Sequence, residues 1–100
     1  MTYITKLLPE ASLDIKESVT WYNQQKEGLG ARFYEVLKSK FNFIEMNPRY
    51  YQVSYRDLRS ASLKKFPYQI HHRIAEDQKT VIVFAVTHTS RDPQTWRSRV

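Results

Sequence analysis

The side chains of this sequence that are best suited to chemistry are basic, and they gather in its second half. Residues 51–100 contain nine Lys or Arg against four Asp or Glu, whereas residues 1–50 contain seven against six. The net positive charge of residues 51–100 should attract a polyanion, either nucleic acid or an acidic protein. We expect several of these cations to converge on one exposed sheet surface; the alternative is solvated strand charges, some paired with an acidic partner. The candidates are Arg59, Lys64, Lys65 and Arg73, which fall on neighbouring predicted strands, and then Arg91 and Arg97.

Two further side chains are candidates for catalysis or binding. His88 ends an apolar run and is of a residue type that exchanges protons near neutral pH, so it could be a general acid or base. Alternatively, it anchors the end of a strand by hydrogen bonding. Strict alternation places it on the face of Ile82, Phe84 and Val86. The indole of Trp96 could stack on a base or anchor a protein contact but cannot exchange a proton, and the alternative is that it folds back over the core.

Histidine spacing and cysteine content give no sign of a metal site. His71 and His72 are adjacent in a predicted strand, so their side chains point to opposite faces and cannot ligate one ion together. The absence of cysteine excludes a disulfide framework and a thiolate nucleophile, and it argues against structural zinc. We therefore predict no metal and no cofactor.

Aromatic and basic residues alternate in the segment that follows the second predicted helix. Tyr50, Tyr51 and Tyr55 lie there beside Arg49 and Arg56. Aromatic rings interleaved with arginines are typical of contacts with nucleic acid or a protein partner. Packing of a long connector onto the core would explain the same residues.

The elements that position these side chains are, in order, a strand, a helix hairpin and three meandering strands. Apolar residues at helical spacing predict two helices, and the short turn Gly28-Leu29-Gly30 makes them an antiparallel hairpin. Residues 1–100 are thus expected to form one α+β domain in which the last three strands form an antiparallel meander and the helices cover one face of the sheet. The predicted bounds are a strand at 3–8, a helix from Pro9 to near Gly28, a second helix ended by Asn47-Pro48, and strands at 58–66, 68–75 and 81–87.

The composition favours a cytoplasmic location. The opening residues contain no long apolar stretch of the kind found in signal peptides, and a small cysteine-free domain suits a reducing compartment. The longest apolar run, residues 81–86, is too short to cross a bilayer. We expect no membrane partner.

Several residue strings, in this order, resemble the RelE/ParE superfamily of toxins from bacterial type II toxin–antitoxin systems. The resemblance spans nearly the whole chain and is greatest to the ParE or plasmid stabilisation branch. The strings are Pro9-Glu10-Ala11 with Asp14-Ile15, Trp21-Tyr22, Gly28-Leu29-Gly30 with Arg32-Phe33, Asn47-Pro48, Phe66-Pro67-Tyr68-Gln69-Ile70, and His88-Thr89-Ser90-Arg91-Asp92-Pro93 with Trp96.

The resemblance implies first a ParE-like toxin that inhibits growth by binding DNA gyrase and needs no catalytic residues of its own. It also implies a cognate antitoxin, acidic and partly disordered, that neutralises the toxin by wrapping around it. The residues that we expect to bind the antitoxin or the target are Arg59, Lys64, Lys65, Arg73, Arg91, Trp96 and Arg97.

The alternative implied by the resemblance is a RelE-like, metal-independent endoribonuclease that cleaves mRNA on the ribosome. Lys64 falls near the place where RelE-like enzymes carry a catalytic arginine, and Arg73, His88 and Arg91 would complete the set. Those enzymes tend to carry a tyrosine near the position of Trp96, so its absence weakens the nuclease interpretation. A third alternative is a binding module without toxicity.

Overall fold

The computed structural model describes residues 2–100, which form a five-stranded sheet and three α-helices. The α+β class and the predicted order of the main elements are confirmed. The elements are β1 (Ile4–Leu7), α1 (Pro9–Gln25), α2 (Leu29–Met46), β2 (Val53–Tyr55), β3 (Leu58–Ser62), β4 (Tyr68–Ala75), a 3₁₀ turn (Glu76–Gln78), β5 (Thr80–His88) and α3 (Gln94–Arg97).

The helix hairpin follows from local sequence. Pro9 opens α1 with a φ already suited to a helix, and Leu8 before it offers no side-chain cap. Gly28 takes a φ of 85° between the helices, a conformation that disfavours residues with a Cβ atom. Gly30 lies inside α2 rather than in a connector, and a Cβ there would come within 2.4 Å of the Val19 carbonyl oxygen. The two helices can therefore approach closely at this point.

The sheet has the strand order β1-β5-β4-β3-β2. Strands β3, β4 and β5 form the predicted antiparallel meander, while β1 lies parallel to β5, with Ile4 opposite Thr80. Two details differ from the prediction. Strand β2 adds an edge that the sequence did not indicate, and the predicted strand at 58–66 ends at Ser62. Lys64 and Lys65 consequently lie in the loop that leads to β4.

The two faces of the sheet are covered unequally. The main core lies under α1 and α2 and includes Phe33, Leu37 and Ile70. The other face, called here the outer face, carries a smaller cluster in which Trp96 of α3 packs with Leu58 and Ala85. The helix hairpin thus covers one face, as predicted, and the short α3 covers part of the other.

A β-bulge in β5 changes which residues share a face. The register with β4 shifts between His71 and His72, so His71 lies opposite Ala85 whereas His72 lies opposite Val83. Phe84 and Ala85 both join the outer cluster, and Val83 and Val86 both join the main core. One extra residue on a strand inverts every later side chain.

No helix within residues 2–100 combines the length and the apolar character needed to span a bilayer.

Candidate functional site

The six predicted cations do not converge on one sheet surface. Arg73 and Arg97 lie on the outer face, where their guanidinium groups approach the rings of Phe84 and Tyr55. Arg59 points to the helix side, as does its cross-strand neighbour His72, and donates a hydrogen bond to the Tyr51 carbonyl oxygen at 2.7 Å. The other three lie beside the helices: Lys64 and Lys65 next to α2, and Arg91 next to α1. The expected convergence is wrong because β3 ends before Lys64 and because alternate residues of a strand face opposite ways.

The outer face is nevertheless rich in arginine and aromatic side chains. The guanidinium carbon of Arg97 lies 4.7 Å from the centroid of the Tyr55 ring, and that of Arg56 lies 5.5 Å from the same ring. Arg73 forms an ion pair with Asp57 at 3.8 Å. This arrangement presents positive charge around partly buried aromatic rings and can hold an anionic partner.

Trp96 is a component of this face and is only 7% exposed. Its ring stacks on His71 with centroids 3.8 Å apart and planes 14° from parallel. His71 is fixed in turn by Ser60 and Thr87, at 2.9 Å and 3.2 Å from its two ring nitrogens. In this arrangement the indole packs within the protein and has no free face for a nucleic-acid base.

His71 and His72 do point to opposite faces, as their adjacency in a strand predicts. The His72 ring packs against Tyr51 on the helix side, and its Nε2 atom is buried without a hydrogen-bond partner. Burial lowers the pKa of each histidine to about 4. The neighbouring imidazole of His72 lowers the pKa of His71 further, whereas a hydrogen bond to the Ile70 carbonyl oxygen partly opposes the effect of burial on the pKa of His72. Both rings are therefore neutral at physiological pH. Within residues 2–100, no three metal-ligating side chains meet at one point.

His88 lies on the helix face, 5.3 Å from the ring of Tyr68. The prediction that groups it with Ile82 and Phe84 is wrong, because the bulge in β5 inverts the alternation after residue 84. Its Nδ1 atom accepts a hydrogen bond from the Ser90 backbone N–H at 3.0 Å, and the Ser90 hydroxyl lies 2.7 Å away. These contacts hold the ring at the end of β5, as in the strand-anchoring alternative.

Two of the four residues of the nuclease interpretation, His88 and Arg91, lie close together, since the Arg91 backbone N–H donates to the His88 carbonyl oxygen at 3.0 Å and both residues lie beside Tyr68. Arg73 lies on the outer face, His88 packs on Tyr68 on the helix face, Lys64 is beside α2, and Arg91 is beside α1. General acid–base catalysis requires its groups within hydrogen-bonding reach of one substrate. The fold does not bring these four to a common point.

Sequence reasoning missed a buried ion pair at the free edge of β5. The two terminal guanidinium nitrogens of Arg99, Nη1 and Nη2, donate to the Asp14 carboxylate at 2.6 Å and 3.1 Å. The same groups satisfy backbone atoms of β5 beyond the end of β1: Arg99 donates to the Phe84 carbonyl oxygen and Asp14 accepts from the Val86 N–H. The hydrogen bond from Arg99 to Asp14 raises the pKa of the guanidinium further. No local pattern predicts a pair separated by 85 positions.

A cleft of about 480 Å³ beside α2 was also missed. It is formed by α2, the connector that follows it and the loop between β3 and β4, and is called here the lysine cleft. Interleaved aromatic and basic residues in the connector were the signal, but the loop that completes the cleft was predicted as strand. Its polar and aromatic lining includes Lys40, Phe43, Tyr50, Tyr51, Lys64 and Lys65.

The outer side of the helix hairpin carries exposed apolar residues. Leu13, Trp21 and Tyr34 are each about half exposed. Tyr34 borders an open groove between α1 and α2, whose floor includes Ile15 and Val19. Exposed apolar side chains beside a groove mark a surface that a helical partner can cover.

Comparisons with known proteins agree with this architecture. The model of the family "ParE toxin of type II toxin-antitoxin system, parDE" matches residues 5–93. The chain is similar in structure to the chromosomal ParDE system of P. aeruginosa, with a TM-score of 0.75 and 12% identity over 87% of this chain and 96% of that one. No curated protein sequence matches it.

Two RelE structures are also similar. A mutant of E. coli RelE in the free state has a TM-score of 0.70 and 17% identity, over 99% of this chain and 94% of that one. A chain of the RelBE2 toxin–antitoxin complex from Mycobacterium tuberculosis has a TM-score of 0.64 and 20% identity, over 88% of this chain and 99% of that one. At these identities the likeness shows a shared RelE/ParE-like fold.

Proposed function

Because this chain belongs to the ParE toxin family of type II toxin–antitoxin systems, we propose that it inhibits growth by binding DNA gyrase and is neutralised by a cognate antitoxin. The observation that carries the proposal is the family match across residues 5–93. The surface supports it, since a protein-binding inhibitor needs exposed apolar and charged patches rather than a set of converging catalytic groups.

The antitoxin is an acidic, partly disordered chain whose helical segment covers the exposed side of the hairpin. Leu13, Trp21 and Tyr34 supply the apolar contacts that such a helix needs. Acidic residues of the antitoxin pair with cations around the sheet, namely Lys64 beside α2, Arg59 and Arg73. Lys64 and Arg59 lie on the helix side of the sheet and Arg73 on the outer face, so the antitoxin must pass around an edge of the sheet to reach all three. A segment that folds on binding can wrap a surface in this way.

The antitoxin surface is tested by replacing Trp21, which is 52% exposed. Trp21→Ala should weaken binding of the cognate antitoxin about tenfold in calorimetry, because aromatic anchors carry much of the energy of an interface. Met46→Ala is the matched control, since Met46 is exposed and apolar but lies at the opposite end of the hairpin. Equal loss of affinity in both variants would contradict the docking surface.

The target is tested with purified protein in two parallel reactions. In a DNA supercoiling assay with gyrase, we expect loss of supercoiled product and its recovery when antitoxin is added. Full supercoiling in a large excess of the chain would refute the gyrase target. The second reaction contains the protein, ribosomes and mRNA. Cleavage of the mRNA that is abolished by His88→Ala or Arg91→Ala would establish the nuclease alternative. Absence of both activities, with harmless expression in cells, would identify a binding module without toxicity.

Arg73 lies on the outer face, whereas His88 and Arg91 lie together on the helix side, and this separation favours gyrase binding over mRNA cleavage. The RelE likeness concerns the fold, and the side chains that would perform the cleavage are not assembled around one substrate position. Trp96 supports the same choice, because its indole is stacked on His71 and cannot transfer a proton.

A further inference from the structure

The lysine cleft has a composition that binding of a protein target does not require. We propose that it is a nucleotide-binding site, in which Lys64 and Lys65 hold the phosphates and Tyr50 stacks on the base. The ligand class is a phosphate-bearing base, either a free nucleotide or part of a single nucleic-acid strand. This proposal is independent of whether the protein inhibits gyrase.

Unpaired positive charge is the first argument. Lys40, Lys64 and Lys65 line the cleft, and no carboxylate of residues 2–100 lies within ion-pairing distance of any of them. The lining also contains no Asp or Glu. Three lysines that line one concave space give it a positive potential and concentrate anions there. A di- or triphosphate supplies several negative charges within that short span.

A fixed aromatic wall is the second argument. Tyr51 is held at three points: its hydroxyl accepts a hydrogen bond from Lys40 at 2.6 Å, its carbonyl oxygen accepts one from Arg59 at 2.7 Å, and its ring packs on His72. Tyr50 packs edge-on against both Tyr51 and Phe43, with ring centroids 5.0 Å apart in each case. Tyr50 is nevertheless 67% exposed. An exposed ring that its neighbours immobilise is a ready stacking surface for a base.

The backbone of Lys65 is the third argument. Its φ of 71° lies in the left-handed region, which favours glycine over residues with a Cβ atom. The turn sends the next residue, Phe66, into the core against Tyr22 and Phe33. Glycine would make this turn with less strain, so the fold itself does not explain a lysine here. A role for the Lys65 side chain in the lining of the cleft explains why a lysine occupies this position.

The lining favours a nucleotide over an acidic peptide. Carboxylates of a peptide would neutralise the lysines, but they would leave the exposed ring of Tyr50 without a partner. A base linked to phosphates uses both features at once. The volume of about 480 Å³ is also suited to a small ligand.

Calorimetric titration of the full chain with ATP and with a thymidine pentanucleotide tests the proposal. Inorganic triphosphate and polyglutamate serve as probes that carry charge without a base. We expect ATP to bind more tightly than triphosphate, and Tyr50→Ala to lower ATP affinity at least about fivefold while leaving triphosphate affinity unchanged. Lys64→Gln should weaken both ligands, and the matched control Lys16→Gln, an exposed lysine of α1, should weaken neither.

Lys65→Gly separates ligand binding from folding. It should reduce ATP affinity, yet its free energy of unfolding in urea should equal or exceed that of the parent because the strained φ is relieved. Tighter binding of the pentanucleotide than of ATP would identify a strand as the ligand, and the reverse would identify a free nucleotide. Three results would overturn the proposal: no binding of either base-containing ligand at millimolar concentration, equal affinity for ATP and triphosphate, or preference for polyglutamate.

Discussion

Lowering the pH from 7 to 5 should destabilise the folded protein, because His71 and His72 are buried as neutral rings. Each has a pKa of about 4 in the folded chain against an ordinary value of 6.5. Between these two values the unfolded chain takes up protons that the folded chain does not, so the free energy of unfolding falls as the pH falls. The stabilisation is complete above pH 6.5 and is lost as the pH approaches 4.

The magnitude follows from the two pKa values. Over the interval from pH 7 to pH 5, each histidine should contribute a loss of about 2 kcal/mol, and the pair about 4 kcal/mol. Carboxyl groups of ordinary pKa stay largely ionised down to pH 5, so they add little in this window. For a small domain, a loss of this size is a large part of the total stability.

Urea unfolding followed by tryptophan fluorescence at pH 7, 6 and 5 measures this loss. His72→Leu removes one buried imidazole whose Nε2 atom has no partner, so the loss between pH 7 and pH 5 should fall by about half. Val81→Ala is the control, because it changes the buried core without removing an imidazole, and its loss of stability between pH 7 and pH 5 should match that of the parent protein. If His72→Leu and the parent lost stability equally over this interval, buried neutral histidine would not be the cause.

Two further substitutions test the packing. Gly30→Ala should lower the free energy of unfolding by at least about 2 kcal/mol in thermal unfolding, since the new Cβ would meet the Val19 carbonyl oxygen at 2.4 Å. Gly28→Ala is the control and should cost about 1 kcal/mol, because Gly28 has open space around it but a φ of 85°. Equal losses in the two variants would argue against the close approach of the helices at Gly30. Arg99→Met should lower the free energy of unfolding in urea by about 3 kcal/mol, because it leaves the buried Asp14 carboxylate without its partner. Adding Asp14→Asn to this variant should recover part of that loss. A double variant that is less stable than Arg99→Met would refute the explanation.

The sequence predicted those parts of the fold that depend on local pattern. Pro9 and the apolar spacing of α1 located the first helix, Asn47-Pro48 located the end of the second, and alternation located β4. Gly30 was placed in the connector because glycine usually signals a turn. In the structure it serves instead as the point where two helices touch.

The predicted site was less accurate, because site geometry depends on long-range register. The bulge at Phe84 and Ala85 inverts the face of His88, and nothing in an apolar run marks such an insertion. Lys64 and Lys65 were placed on a strand that ends at Ser62. Convergence of several cations requires every register between them to be right, so one misplaced strand end and one bulge are enough to disperse the set.

The parallel pairing of β1 with β5 has a consequence for synthesis of the protein. During translation the hairpin of α1 and α2 emerges early, yet β1 has no strand to pair with until residues 80–83 have been made. The ion pair of Asp14 can form only later, once Arg99 has been made. Contacts this distant in sequence close late and slowly. The surface formed around these contacts is therefore completed only after residue 99 has been made.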